Sequence, residues 1–293
     1  DRILADVKTD VKMQVVRNDE GSPSSGSSAV AAMVGLGLGM VLYMFLMIYG
    51  AMVMQSVIEE KSSRVLEVVV SSVRPFELMM GKIFGVASVA VVQVLIWAVL
   101  VCGAGAAVMP HVLPDGAMEA AAALQQGGGA ATAAAGDFDP ETLGAIALAT
   151  DVSYLAMLFG YLLLFVVGGY LLYSAMFAAV GSAVDNAQDA AQLQTPIMIP
   201  IILAVIVEMS VLNDPNSPLA FWFSLIPFTS PVVMMARIPY GIPTWEIVLS
   251  LVLLYAAFVG MVWLSAKIYR VGIFMYGKKP TLREMFRWIR YKY

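Results

Sequence analysis

The stretch AVAAMVGLGLGMVLYMFLMIYGAMVM, residues 29–54, contains no charged residue. A helix of about 20 apolar residues crosses the hydrocarbon core of a bilayer, which is about 30 Å thick. Four further runs have a similar character: 83–109, 152–182, 195–212 and 245–266. The chain of 293 residues is 60% hydrophobic and only 13% charged, whereas soluble domains average about 45–50% and about 25%. The sequence therefore predicts an all-α polytopic membrane protein with about five transmembrane helices.

A sixth apolar run, residues 219–238, is interrupted by Pro227 and Pro231. Proline removes a backbone donor and breaks helices. Non-helical backbone at membrane depth is tolerated only where protein shields it from lipid. We therefore expect this run to form an external re-entrant hairpin packed against the other helices.

The distribution of lysine and arginine predicts the orientation of the spans. The connection 55–82 carries four of these residues and the tail 267–293 carries eight, whereas the loop 110–151 carries none. Cytoplasmic loops are the ones rich in Lys and Arg. The connection and the basic tail are thus expected in the cytoplasm, with the protein in the inner (plasma) membrane. Five spans place residues 1–28 outside, whereas a sixth span would place the basic tail there.

The polar N-terminal part, residues 1–28, lacks the charged-then-apolar pattern of a signal peptide. Its last stretch, EGSPSSGSS at 20–28, is typical of a flexible linker. We interpret 1–28 as the end of an extracytoplasmic domain followed by this linker. An external N-terminus of this kind leads us to expect another span and most of that domain before Asp1.

The segment SVIEEKSSRVLEVVVSSVRP, residues 56–75, has a different pattern. In a helix, Glu60, Arg64 and Glu67 share one face, opposite an apolar one. One interpretation is a helix resting in the lipid headgroups, but such helices favour a face rich in Lys and Arg. Here acids outnumber bases: Glu59, Glu60 and Glu67 against Lys61 and Arg64. A mixed-charge face suits a protein partner better than an anionic leaflet.

Several blocks, in order along the chain, carry a family resemblance. They are VIEEKSSRVLEVVVSSVRPFELMMGKIFG (57–85), VDNAQDAAQLQTPIMIP (184–200), SLIPFTSPVVMMARIPYGIPTWEI (224–247) and KIYRVGIFMYGKKPTLREMFRW (267–288). Together they resemble the permeases of type-2 ABC exporters, in the branch similar to the sodium-export permease NatB. The resemblance covers a transmembrane domain at 29–290, and the family has a further span and a large external domain before it.

The resemblance implies a permease subunit that pairs with a second permease copy and docks on two ATP-binding subunits. Segment 56–75 would then be the coupling helix, whose docking residues are Glu59, Glu60, Lys61, Arg64 and Glu67. Asp185 and Asp189, in a short cytoplasmic turn, are further candidates for contact with the ATPase. ATP and magnesium would bind the partner, and no cofactor would bind this chain. The expected activity is export by alternating access of sodium, another small cation or an amphiphile.

The residues themselves give little support to other classes. Gly81-Lys82 is followed by Ile83, so the phosphate-binding GxxxxGK[ST] pattern is absent. No catalytic cluster indicates an enzyme, and nothing indicates nucleic-acid binding. A stand-alone secondary transporter or channel is the alternative, but it would be expected to carry several intramembrane ionisable groups or an inverted repeat. Glu208 lies inside an apolar run and is a candidate for the substrate path, unless Asn213 and Asp214 mark the membrane surface close to it.

Overall fold

The computed structural model describes residues 25–63, 73–113, 116–125, 140–275 and 281–288. This part of the chain is helical and contains no strand. The helices are α1 Ser25–Ser62, α2 Pro75–Val112, α3 Ala117–Gln125, α4 Pro140–Thr150, α5 Val152–Ala183, α6 Ala187–Val211, α7 Pro218–Leu225, α8 Ser230–Arg237, a 3₁₀ turn Ile238–Tyr240, α9 Thr244–Gly272 and α10 Leu282–Trp288.

Among the described residues, five helices are long and apolar enough to cross a membrane: α1, α2, α5, α6 and α9. The shortest, α6, has 25 residues and is about 38 Å long at 1.5 Å per residue. The predicted all-α polytopic architecture is thereby confirmed. Four of these helices, α1, α2, α6 and α9, extend at least six residues beyond the apolar runs. Helix α1 continues to Ser62, and α6 begins at Ala187 and contains Pro196 and Pro200.

Side-chain caps fix where several helices begin. Asp151 accepts hydrogen bonds from the backbone N–H groups of Ser153 (2.8 Å) and Tyr154 at the start of α5. Asn186 accepts one from the N–H of Asp189 at the start of α6, at 2.8 Å. Such caps satisfy backbone donors that have no partner within the helix. The cap at Asn186 explains why α6 begins eight residues before the predicted apolar run.

Helix α5 is the centre of the bundle, because α1 and α9 pack along it and α2 also lies against it. Its second half is almost continuously buried, from Phe165 to Ala183. Helix α2 instead exposes apolar side chains, including Val92, Ile96 and Val99. Exposed apolar side chains on a span are the expected surface for lipid.

Helices α1 and α5 approach each other closely at Gly181. A Cβ atom at this position would lie 2.7 Å from the carbonyl oxygen of Met54 and 3.2 Å from the Cβ of Val57. Backbone cannot rotate aside as a side chain can, so a larger residue has to separate the two helices. Gly160, on the same helix, has open space where its Cβ would be.

We expect Gly181→Val to lower the free energy of unfolding by about 1–3 kcal/mol, the usual cost of overpacking a close-packed interior. Gly160→Val should cost less than about 1 kcal/mol, because a Cβ there meets nothing within 4 Å. It is a matched control, because both changes exchange glycine for the same β-branched residue in one helix. The midpoints of thermal unfolding in detergent would measure this. Equal midpoints for the two variants would show that α1 and α5 are not in close contact there.

The run 219–238 forms two short helices, α7 and α8, joined by residues 226–229. Each has eight residues and is about 12 Å long, too short to cross a bilayer. Every residue of α8 is buried, and the turn is held by a 2.6 Å hydrogen bond from the Tyr173 hydroxyl to the carbonyl of Phe228. Helix α8 is thus shielded as the sequence analysis expected, whereas α7 exposes Leu219 and Trp222.

Two helices lie inside the segment 110–151 that the sequence analysis treated only as a loop. Helices α3 and α4 pack on each other through Ala117, Ala121 and Ile146. They are short and alanine-rich, and alanine has the highest intrinsic helix propensity. They were missed because a search for runs of membrane-spanning length passes over helices of this size.

The spans gather polar residues at two opposite ends of the bundle. The Lys61 end comprises the ends of α1, α5 and α9 and the beginnings of α2 and α6. The Arg237 end comprises the beginning of α9, the end of α6 and the α7–α8 hairpin. The buried charged side chains Lys61, Arg237 and Glu246 lie at these two ends.

Candidate functional site

Lys61 is the hub of the Lys61 end. Its side chain is fully buried, and Nζ donates hydrogen bonds to the carbonyls of Ser182 at 2.8 Å and Gly272 at 2.9 Å. It also forms an ion pair with Asp185, at 3.1 Å from Oδ1. Ser182 and Gly272 lie in the last turns of α5 and α9, where carbonyls lack helical partners and carry partial negative charge. One ammonium group thus links three helices, α1, α5 and α9, to the turn between α5 and α6.

A second ion pair joins α1 to α2 at the same end. Lys82 lies 2.6 Å from Oε2 of Glu60. Its ammonium also donates to the carbonyl (2.9 Å) and the hydroxyl (3.2 Å) of Ser56. With Lys61, this contact fastens the end of α1 to α2, α5 and α9 and to the turn that precedes α6.

The predicted docking residues are placed differently from one another. Glu59 is exposed, Glu60 binds Lys82, and Lys61 is buried. Arg64 and Glu67 lie outside the described residues. Because α1 runs without a break to Ser62, the beginning of segment 56–75 is the continuation of the first span.

The two candidates in the cytoplasmic turn have local partners. Asp185 holds Lys61. Asp189 lies in the first turn of α6, and its carboxylate accepts a 3.0 Å hydrogen bond from the Asn186 amide. Both residues lie at the Lys61 end, and their contact with an ATPase stays a prediction.

A buried network that the sequence analysis missed lies at the other end, around Arg237. Its Nε donates to the carbonyl of Pro215 at 2.8 Å, and Nη1 donates to Ser224 Oγ at 2.6 Å. Nη1 also lies 3.0 Å from Oε2 of Glu246, and the two side chains are 1% and 10% exposed. Burial lowers the pKa of Arg237, and the negative charge of Glu246 opposes that lowering.

This network joins the last residue of α8 to the first turn of α9 and to α7. The Ser250 hydroxyl adds a 2.7 Å hydrogen bond to the carbonyl of Ser224. A signal was available in the sequence, because Arg237 is the only lysine or arginine between Lys82 and Lys267. A single arginine in a long apolar region indicates a buried partner, which here is Glu246.

Glu208 lies near the end of α6 and is 0% exposed. Neither carboxyl oxygen has a hydrogen-bond partner within the described residues. The carboxyl group faces Gly39 of α1, at a distance that leaves no room for a Cβ atom there. Buried polar groups are normally satisfied, so this acid is an exception inside a span.

The described ranges contain no group of three or more His, Cys, Asp or Glu side chains placed to hold a metal ion. His111, at the end of α2, is exposed, and its Nδ1 lies 3.1 Å from the carbonyl of Ala107 in the preceding turn. The candidate functional features are therefore the ion pairs of the Lys61 end, the Arg237 network and the buried acid Glu208.

Comparison with known proteins identifies the family. The sequence model of the family described as ABC-2 family transporter protein matches residues 5–267. The chain belongs to the ABC-2 transporter family. It is thus a multi-pass membrane permease of the ABC type, and the permeases of this family typically work with separate ATP-binding subunits.

Two relatives of the ABC-2 permease are similar over most of its length. The uncharacterized protein YhaP of Bacillus subtilis (strain 168) is 27% identical over 246 residues, which is 84% of this chain and 52% of the relative. The uncharacterized protein MJ1024 of Methanocaldococcus jannaschii is 27% identical over 260 residues, 88% of this chain and 54% of the relative. The chain thus spans about half the length of each relative. No solved structure shows significant similarity to it.

Proposed function

We propose that this ABC-2 permease exports its substrate by alternating access, driven by an ATPase on a separate polypeptide. The Lys61 end is the cytoplasmic end in this proposal, because the Lys/Arg-rich connection and tail adjoin it. The ATPase docks there, and a second permease copy completes the translocation path. Sodium, another small cation or an amphiphile is the substrate class; sodium is suggested by the NatB-like resemblance alone.

The observation that carries the proposal is the way the end of α1 is fastened. The predicted docking segment, residues 56–75, begins within α1, which continues to Ser62. Lys61 and Lys82 then tie this end to α2, α5 and α9 and to Asp185 in the turn that leads into α6. A partner that displaces the docking segment therefore acts on α1, α2, α5 and α9 and on the turn before α6 together, as a coupled transporter requires.

Glu59→Arg tests docking with a single exposed charge. Glu60 is less suitable, because reversing it would also break the ion pair with Lys82. Like charges brought together at an interface are strongly unfavourable. We expect Glu59→Arg to reduce the amount of co-purified ATP-binding subunit about tenfold, which corresponds to about 1.4 kcal/mol. The subunit would be detected by photolabelling with azido-ATP after affinity purification of the tagged permease in mild detergent.

Glu119→Arg is the matched control, since Glu119 is exposed on α3, far from the Lys61 end along the chain. It should leave the azido-ATP signal unchanged. Both variants should keep the wild-type unfolding midpoint, because exposed substitutions typically change stability by about 0.5 kcal/mol or less. An equal signal for both variants would refute docking at Glu59. Absence of any labelled subunit with the wild-type chain would favour a stand-alone transporter.

A further inference from the structure

The buried acid Glu208 has no counter-charge in the described part of the bundle. The two fully buried basic side chains there, Lys61 and Arg237, pair with Asp185 and Glu246 instead. A carboxylate held in an apolar interior without a partner is strongly unfavourable. The uncharged, protonated carboxyl is the form that such an enclosure favours.

Helix α1 lies directly against this carboxyl group. Gly39 of α1 lies directly over it, and Gly35, one turn earlier on the same face, lies against the carbonyl oxygen of Ala236 in α8. At both positions only glycine lets the α1 backbone come this close. The carboxyl is thus enclosed by α1 on one side and by its own helix α6, with α8 packed against both.

The same helix carries the fastened end. Gly39 and Lys61 are 22 positions apart in α1, which is about 33 Å in a continuous helix. A shift of α1 imposed at Lys61 would therefore also move Gly39. Withdrawal of Gly39 would give the carboxyl group of Glu208 access to water, in which it ionises.

We infer that Glu208 is the cation-binding carboxyl of the translocation path, closed here by Gly39, and that it exchanges its proton for one monovalent cation when α1 withdraws. The inference rests on the proposed permease function. A lone carboxylate neutralises a single positive charge. Within the described residues, Glu208 belongs to no group of three or more acids, histidines or cysteines of the kind that could hold a divalent ion.

Carbodiimide labelling tests this inference directly. Dicyclohexylcarbodiimide reacts with protonated carboxyl groups in apolar surroundings, and mass spectrometry of the peptide containing Glu208 measures the reaction. With the full-length protein in lipid nanodiscs at constant pH, we expect 100 mM sodium or potassium to slow labelling at least fivefold. The reference is N-methylglucamine at the same ionic strength. A rate that no alkali cation changes would overturn the inference, and so would a folded Gly39→Ala variant whose Glu208 is never labelled.

Two glycine variants supply a matched comparison. Gly39→Ala puts a methyl group where the carboxyl lies, so it should hold α1 away and speed labelling in N-methylglucamine several-fold. Gly37→Ala should leave the rate unchanged, because a Cβ there meets nothing within 4 Å. Equal rates for the two variants would contradict closure by Gly39. Cation protection is measured independently of ATPase co-purification, so loss of protection with the ATPase still bound would defeat this inference alone.

Discussion

Arg237→Met is expected to lower the free energy of unfolding by about 3–5 kcal/mol, the cost of removing one partner from a buried ion pair. The substitution leaves Glu246 buried without its counter-charge, and it also leaves the carbonyl of Pro215 and the hydroxyl of Ser224 without their donor. For a chain of this size, the midpoint of thermal unfolding should fall by roughly 10 °C. Fluorescence-detected size-exclusion chromatography after heating would measure the midpoint.

Two further variants separate charge from volume in this prediction. Arg237→Met combined with Glu246→Gln removes both charges, and it should recover at least half of the lost stability, because no uncompensated charge remains. Arg270→Met removes an exposed arginine from α9 and should change stability by about 0.5 kcal/mol or less. If Arg237→Met were as stable as Arg270→Met, the pair with Glu246 would not hold the hairpin to α9.

The sequence alone was sufficient for the number of spans and for the break in the sixth apolar run. Long uncharged runs have one stable solution in a bilayer, a helix that satisfies its own backbone. Pro227 and Pro231 interrupt the sixth run, and the two helices on either side of the interruption are too short to cross. These features depend on local composition, which is why pattern analysis could find them.

The partners of the buried charges could not be predicted from the pattern. Lys61 bonds to carbonyls 121 and 211 positions away, whereas the family resemblance implied only that it is a docking residue. Its burial depends on where α5 and α9 end, which only the packed bundle determines. For the same reason, Arg237 and Glu246 lie nine positions apart in sequence but meet only because the hairpin returns to the start of α9.

The continuity of α1 is a further difference with a physical reason. Gln55 and Ser56 follow the apolar run and indicated that the span ended at 54. In the bundle, the hydroxyl and carbonyl of Ser56 bind Lys82, so this polar position is satisfied inside a longer helix. The first span and the start of the docking segment therefore form one continuous helix, which contains both Gly39, in contact with Glu208, and Lys61.

Lys61→Met is the second substitution with a large expected effect, again about 3–5 kcal/mol. It removes the donor to Ser182 and Gly272 and the counter-charge of Asp185. Lys267→Met is the matched control, because Lys267 is partly exposed and stacks on Trp263 with its Nζ 3.8 Å from the ring centroid. A contact of that kind contributes about 0.5–1 kcal/mol. The difference between the two unfolding midpoints is the measurement.

Removing both charges of the ion pair should restore a smaller fraction of the lost stability at Lys61 than at Arg237. Asp185 is 30% exposed, so water already solvates much of its charge, and Asp185→Asn has little to relieve. The carbonyls of Ser182 and Gly272 still lose their donor in the double variant, and it is the Lys61 ammonium shared by these carbonyls that joins the ends of α5 and α9. We therefore expect Lys61→Met with Asp185→Asn to recover less than half of the loss. Recovery to near the wild-type midpoint would mean that Lys61 stabilises the protein through its ion pair with Asp185 and not through its hydrogen bonds to the ends of α5 and α9.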